Sequence, residues 1–294
     1  MSFTLSASAK KTVKSLLDQY LFETNLPPKE GSKPLFIDGL ACGWVHPDAV
    51  LALRGLKGIE LNTDSIHVLK ATHSAHLPPS TSPQHSNSAS ETPDLHAFES
   101  LNTLLAQIAL RLKEAGCCVA WRNELLDVWA GDVSIAAIER GVVRPLGITT
   151  RAVHLHARNA AGALWVARRA LNKATDPGLW DTLVGGLVGY GEPDDLALVR
   201  ETDEEAGLSP EDIEHRTPIR QITIMKRQLP EGYQIERVLT SECVLADHCI
   251  PANKDGEVMH IQCIEPAEVV EMLLAKAFTT EATIVIAEDL VRRG

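Results

Sequence analysis

GGLVGYGEPDDLALVRETDEEAGL, Gly185 to Leu208, decides how this chain reads. A glycine-rich run leads into a helix-like run in which Glu201, Glu204 and Glu205 crowd together. Positions i, i+3 and i+4 share one helical face, so the three carboxylates project side by side. Each like-charged pair at that spacing costs about 0.2–0.5 kcal/mol, and acids at the end of a helix also oppose its dipole. A bound divalent cation would offset the repulsion. An oxygen-only donor set favours hard cations such as Mg2+ or Mn2+. Projected at about 100° per residue, Asp194, Ala197, Glu201, Glu204 and Glu205 share one side. Leu198, Val199, Thr202 and Ala206 form the other, with Asp203 at the margin. The helix is therefore expected to bury the second side and present a carboxylate cluster on the first. Asp194 or Asp195 is expected to cap its start, Gly207 to end it and Leu208 to fold back as an apolar plug.

Gly186, Glu192, Arg200, Glu201, Glu204, Glu205, Gly207 and Leu208 fit the pattern G-x5-E-x7-R-E-U-x-E-E-x-G-U, where U is apolar. The chain thereby resembles a Nudix hydrolase; Thr202 departs from the pattern at one U position. The resemblance implies an α/β/α sandwich with a mixed sheet, and attack of water on a phosphoanhydride with a metal neutralising the developing charge. It implies that Gly186 permits the tight loop, that Glu192 is a structural acid and that Arg200 holds the acids in place. Glu201 and Glu205 would be principal metal ligands, with Glu204 a further ligand or the base that deprotonates water. Glu257, in NKDGEVMH, is the candidate for an extra carboxylate from a later segment.

LWVARRALNKATDPGLWDTLVGGLVGYGE, PANKDGEV and FTTEATIVIAEDLVRRG are similar to a narrower group. It includes the Nudix domain fused to fungal thiamin pyrophosphokinase, and related proteins with an extra N-terminal domain. Thr279, Thr280 and Glu281 depart from the Lys-Pro-Asn of that group. The similarity implies cleavage of thiamin diphosphate, or of its damaged oxythiamin and oxothiamin analogues, to a monophosphate. Arg168, Arg169 and Lys173 are the candidate diphosphate contacts, because an acidic protein needs local cations to hold an anion. Only one of two adjacent strand residues points to a given face, and a related family of this fold favours Arg169 with Lys173. Trp165, Trp180 or Tyr190 could stack on a substrate ring or belong to the core. The segment RRALNKATDPGLW also resembles isopentenyl-diphosphate isomerases, but Gly185 stands where those carry a catalytic Cys. Two other readings stay open: a Nudix hydrolase of nucleoside diphosphate derivatives, and a non-catalytic Nudix-fold binding protein.

The 294 residues are 45% hydrophobic and carry net charge −11, from 28 basic and 39 acidic side chains. That is enough chain for two domains, and the charge argues against nucleic acid or an anionic membrane as partner. The expected partner is a small-molecule diphosphate, with a homodimer allowed. Six cysteines without a CxxC pair read as free thiols, and the start lacks a signal-like apolar core, so a cytoplasmic protein is expected. The spacing predicts a helix over 8–24, a strand pair over 34–45 turned at Asp38-Gly39, and a short helix after His46. It reads 71–98, rich in Ser, Thr, Pro and His, as a mobile insertion. A helix from about Glu99 to Ala115, a strand pair within 117–130 and a short helix over VSIAAIERGVV follow. Strands and helices then alternate to a terminal helix. The expected division is a small α+β domain over 1–146 and the Nudix domain over 147–294.

Overall fold

The computed structural model describes residues 5–69, 95–173, 175–254 and 256–293. The chain divides into two compact units. One holds 29–148 with 231–233; the other holds 149–230 and 234–294 together with the N-terminal segment up to Pro28. The expected border at 146/147 thus falls at 148/149, but the first segment crosses it. Its helix α1 (Ala7–Glu23) starts at Ser6, whose side chain accepts from the Ala9 amide, and buries Val13 and Leu17.

The smaller unit begins with β1 (Lys33–Ile37) and β2 (Leu40–Val45), an antiparallel hairpin. Asp38 and Gly39 turn it at φ 49° and 78°, the doubly positive geometry that suits a two-residue turn. Helix α2 (Pro47–Ala52) follows with Pro47 in its first turn. Strands β3 (Ile59–Leu61) and β4 (Ile66–Val68) complete a sheet of order β2-β1-β4-β3. The proposed mobile insertion lies outside the described residues over 71–94; its last residues are helical, because α3 runs Leu95–Glu114.

Two expectations fail after α3. Residues 117–124 form no strand: the Cys117 amide turns back to the Leu112 carbonyl at 2.9 Å, and the Arg122 amide donates to Glu139 at 2.7 Å. Only β5 (Leu125–Ala130) is extended. VSIAAIERGVV is not a helix either. Its first part is β6 (Val133–Glu139), paired antiparallel with β5. β-Branched Val133, Ile135 and Ile138 suit the pleat, and the ladder with β5 decides the choice. Helix α4 (Val143–Leu146) ends the unit's main segment.

The larger unit contains β7 (Thr149–Arg158), β8 (Leu164–Arg169), β9 (Trp180–Thr182), β10 (Val184–Leu187), α5 (Asp194–Ala206), β11 (Arg220–Leu229), β12 (Gly232–Val244), β13 (Val258–Ile264), α6 (Pro266–Leu274) and α7 (Thr280–Arg293). Its sheet runs β11-β12-β7-β8-β13, with β10 on β7 and β9 on β8. The β7–β12 pair is parallel, whereas β7–β10, β8–β9 and β8–β13 are antiparallel. The sheet is therefore mixed. One core joins Val153, Leu155 and Ala157 of β7 to Ala197 and Leu198 of α5. The other joins Leu164, Val166 and Val238 to α6, α7 and Val13 and Leu17 of α1. Alternation along β7 sends His154, His156 and Arg158 to the second face, a polar strip beneath an apolar helix layer. No helix among the described residues is long and apolar enough to cross a membrane.

Candidate active site

Helix α5 begins after Pro193 with no side-chain cap; Asp194 and Asp195 lie in its first turn rather than at the cap. It ends at Gly207, left-handed at φ 64°, and the buried Leu208 amide returns to the Thr202 carbonyl. The β-strand before it supplies two glycines on opposite faces. A Cβ at Gly186 would lie 2.0 Å from Cδ of Glu201, so the missing side chain is the space the carboxylate fills. Gly185 pairs with His154 across the sheet, and a Cβ there would meet His154 Nδ1 at 3.1 Å. The Gly185 amide donates to Glu205 Oε2 at 3.0 Å.

Arg200 organises the acids. Its Nε and one terminal nitrogen donate to both Glu192 oxygens at 2.9 Å. The other terminal nitrogen reaches Glu201 at 2.9 Å and Glu204 at 3.2 Å. Glu192 also accepts from the Gly189 amide, and the Arg200 hydrogen bonds hold its carboxyl below the ordinary range. These contacts raise the Arg200 pKa further.

The acids do not form one solvated face. Glu205 is buried at 6% exposure, and the Glu201 side chain at 15%; Glu204 alone is half open at 47%. Ala197, placed on the open side by the helical projection, is buried too. Burial pushes the Glu205 carboxyl up to about 8 despite the Gly185 amide; Glu201 and Asp181 add to the rise and Lys173 opposes it. A carboxyl so placed gains more from a cation than from water. Thr202 is fully buried, and its hydroxyl donates to the Leu198 carbonyl at 2.6 Å, which makes a polar atom acceptable at the apolar position.

Lys173 acts on Glu205 electrostatically and pairs with Glu257, which stands just before β13. Arg169, the favoured diphosphate contact, is already engaged: it reaches Asp181 at 3.1 Å and the Thr175 carbonyl at 3.0 and 3.3 Å. Arg168 is exposed, donates to the Gly178 carbonyl and sits 6.0 Å over the Trp180 ring. Trp180 and Trp165 lean on the two cores, whereas Tyr190 is exposed at 38%. The structure thus gathers Glu192, Arg200, Glu201 and Glu204 by direct contacts and Glu205 through Gly185. Lys173, with Glu257 attached, is the cation placed against them. Asp181 and His154 were given no role by sequence reasoning. Asp181 is buried beside Thr182 and Arg169, and burial raises its pKa. His154 Nδ1 lies 3.0 Å from Thr182 Oγ1, while its buried Nε2 has no partner. The Asp was visible in the quoted flank; nothing in the local pattern marked the His.

The donor set fits a hard divalent cation: every candidate ligand is a carboxylate oxygen, and the glycine at 186 leaves the cradle open to one of them.

The NUDIX domain model matches residues 148–285. An uncharacterized protein of Saccharomyces cerevisiae is 26% identical over 216 residues, covering 67% of this chain and 63% of that protein. Nudix hydrolase 20, chloroplastic, of Arabidopsis thaliana is 28% identical over 203 residues, 65% of this chain and 52% of its own. An uncharacterized Nudix hydrolase of Pseudomonas aeruginosa is 37% identical over 90 residues, 31% of this chain and 50% of its own. The chain therefore spans about half to just under two thirds of the length of the curated relatives it matches. Among solved structures, DR0079 from Deinococcus radiodurans aligns with a TM-score of 0.40 at 21% identity, covering 58% of this chain and 96% of that one.

Proposed function

Residues 148–285 form a Nudix domain, and from that premise we propose that this chain is a divalent-metal-dependent hydrolase that splits a small-molecule diphosphate into a monophosphate and phosphate. The observation that carries the reading is the Arg200 clamp, which holds Glu201 and Glu204 beside Glu192 while Glu205 is buried on the Gly185 amide. One guanidinium among that many carboxylates leaves negative charge for a cation to neutralise. Glu201, Glu204 and Glu205 would hold Mg2+ or Mn2+. When bound, the ion supplies charge withdrawal from the phosphoanhydride oxygens.

The remaining work belongs to the chain. Arg200 fixes the directions of the acids and has no spare geometry for the substrate. Lys173 brings an ammonium to the same region and would leave Glu257 for a phosphate oxygen. Glu204, the most open of the three, can accept the proton of the attacking water. Arg169 supports the diphosphate site indirectly, by fixing Asp181 and the Thr175 carbonyl. For the substrate we favour thiamin diphosphate or its oxythiamin and oxothiamin forms, on the similarity of the flanks around Arg168–Glu192 and Phe278–Arg293.

The test is product analysis with Mg2+ against thiamin, oxythiamin and oxothiamin diphosphates, ADP-ribose, nucleoside diphosphates and isopentenyl diphosphate. Fastest release of monophosphate and phosphate from the damaged thiamin forms is expected. Preference for nucleotide diphosphates would replace the substrate and keep the reaction. Absence of turnover on every compound would overturn the hydrolase reading.

A further inference from the structure

A second group of metal-ligand side chains lies outside the carboxylate cluster. Asp212 sits in the short turn Glu211–Ile213; His248 and Cys249 sit in the loop after β12. One ligand atom from each, a carboxylate oxygen, a ring nitrogen and the thiol sulfur, lie within 4.8 Å of one another. Cys249 Sγ donates to Asp212 Oδ1 at 3.0 Å. The other Asp212 oxygen accepts from the Ser209 amide at 2.8 Å and its hydroxyl at 2.9 Å. The carboxylate is thus oriented with one oxygen turned to the thiol. The Cys249 amide donates to the Ala246 carbonyl at 2.9 Å, which closes a turn carrying His248 outward and Cys249 into the core beside Ile213.

We propose that Asp212, His248 and Cys249 form a second metal site, for an ion of the Zn2+ kind. The donors are one oxygen, one nitrogen and one sulfur. A thiolate selects against Mg2+ and for Zn2+ or a similar borderline ion. Bond lengths of about 2.0–2.3 Å in a tetrahedral site put neighbouring donors about 3.3–3.7 Å apart. The Cys249–Asp212 spacing is already close to that, and the exposed His248 ring closes the rest by rotation. Ser209 supplies the outer-shell support that keeps a carboxylate ligand aimed. The fourth position is left to water. Binding replaces the thiol proton with the metal: Cys249 S–H and M2+ give Cys249 S–M+ and H+.

The site has a structural consequence. The same loop continues to Ala252 and Lys254, whose amides donate to the Ala206 and Glu204 carbonyls at 2.8 and 3.3 Å. These carbonyls belong to the last turn of α5. A metal at Cys249 would pin the loop that closes the carboxylate-bearing end of that helix, and it does so whether or not the carboxylates catalyse.

The test titrates Co2+ into the metal-free full chain. A thiolate-to-cobalt absorption band saturating at one ion per chain, with proton release and displacement by Zn2+, is expected. It should persist in a Glu201→Gln/Glu205→Gln double variant, which disables the carboxylate cluster. It should vanish in Cys249→Ser. His248→Ala alters only an exposed side chain, and the titration midpoint should weaken by about tenfold or more; Ser209→Ala should weaken it by about tenfold. No thiolate band in the unaltered chain, a band that survives Cys249→Ser, or an unchanged midpoint in His248→Ala would overturn the assignment.

Discussion

The larger unit contains two clusters of guanidiniums and carboxylates with different charge balance. At the start and end of α5, one guanidinium, Arg200, contacts three carboxylates, Glu192, Glu201 and Glu204. Against the far face of the sheet, Arg158, Arg292 and Arg293 converge on Asp289, which is 1% exposed. Arg220, Arg292 and Arg293 hold Glu242, and Arg220 also reaches Glu288. There burial would raise the Glu242 carboxyl, but the hydrogen bonds from Arg293 and Arg292 bring it down to about 2. Buried acids surrounded by enough cations are structural ties, here between α7 and strands β7 and β12. Acids gathered with too few cations would, on the function proposed above, be a ligand site. The contrast teaches that local charge balance, more than the number of charges, separates anchor from site.

The contrast breaks most visibly if Glu204 is neutralised. Glu204→Gln removes one half-exposed carboxylate, so stability should change by no more than about 0.5 kcal/mol. Turnover should fall by about 10²–10⁴-fold, the usual contribution of a positioned general base. Steady-state rates beside a melting curve check both halves; full rate would remove Glu204 from the chemistry. Asp289→Ala is the converse. It strips the partner from the buried Arg158 guanidinium, and from the half-exposed Arg292 and Arg293, and should cost about 3–5 kcal/mol in urea denaturation. The folded fraction should bind Mg2+ as before. A loss below about 1 kcal/mol would show that the anchor is solvated and slack.

Legibility in the sequence followed the range of the interactions. The α5 segment was readable because its spacing, its terminal glycine and its acids are all local, and Gly207 and Leu208 stand where the pattern puts them. Which acids sink was not readable. Glu201 and Glu205 differ by about 40° on a helical projection, and the Gly185 amide, twenty residues earlier, draws Glu205 inward. VSIAAIERGVV carries apolar residues at both helical and strand spacings, and pairing with β5 settled it. Helix α1 was legible as a helix but not as part of the larger unit, since its partner α7 lies at the other end of the chain. A truncation that begins at Thr149 therefore removes Val13 and Leu17 from a core as well as removing the smaller unit. The Asp289 cluster left no local signal at all, because His156 and Asp289 are 133 positions apart.

Gly186 sharpens the comparison from the side of shape. Gly186→Ala places a methyl where the Glu201 carboxylate lies, 2.0 Å from Cδ. The side chain must move, at a cost of about 1–3 kcal/mol. The larger signature is in ligand linkage. The rise in melting temperature produced by Mg2+ in the unaltered chain should shrink, because a displaced Glu201 binds the ion less well than before. An equal rise in both proteins would show that Glu201 is not a ligand.

The smallest effect concerns the sign of the pH dependence in the anchor. His156 is fully buried, and that burial, reinforced by Arg158 at 3.2 Å, lowers its pKa from 6.5 to about 3. Arg158 and the Asp289 carboxylate both lie 3.2 Å from Nε2, and the lowered pKa keeps the ring neutral. The folded value lies below the unfolded one. The stability that follows is therefore complete above 6.5 and is lost as the pH falls toward 3, while the unfolded chain takes up a proton the folded chain refuses. One such proton gives a slope of at most about 1.4 kcal/mol per pH unit. Glu242 steepens the lower part of the same limb, since its ordinary value of 4.5 drops to about 2 on folding. Urea denaturation of the unaltered chain from pH 7 to pH 4 should show the decline, and His156→Gln should make it shallower between 6.5 and 5, where Glu242 contributes little. Identical slopes in the two proteins would mean that His156 is protonated in the fold. Asp289 would then be shared between an imidazolium and the guanidiniums, and the anchor would hold an even larger excess of cations than the contrast with Arg200 supposes.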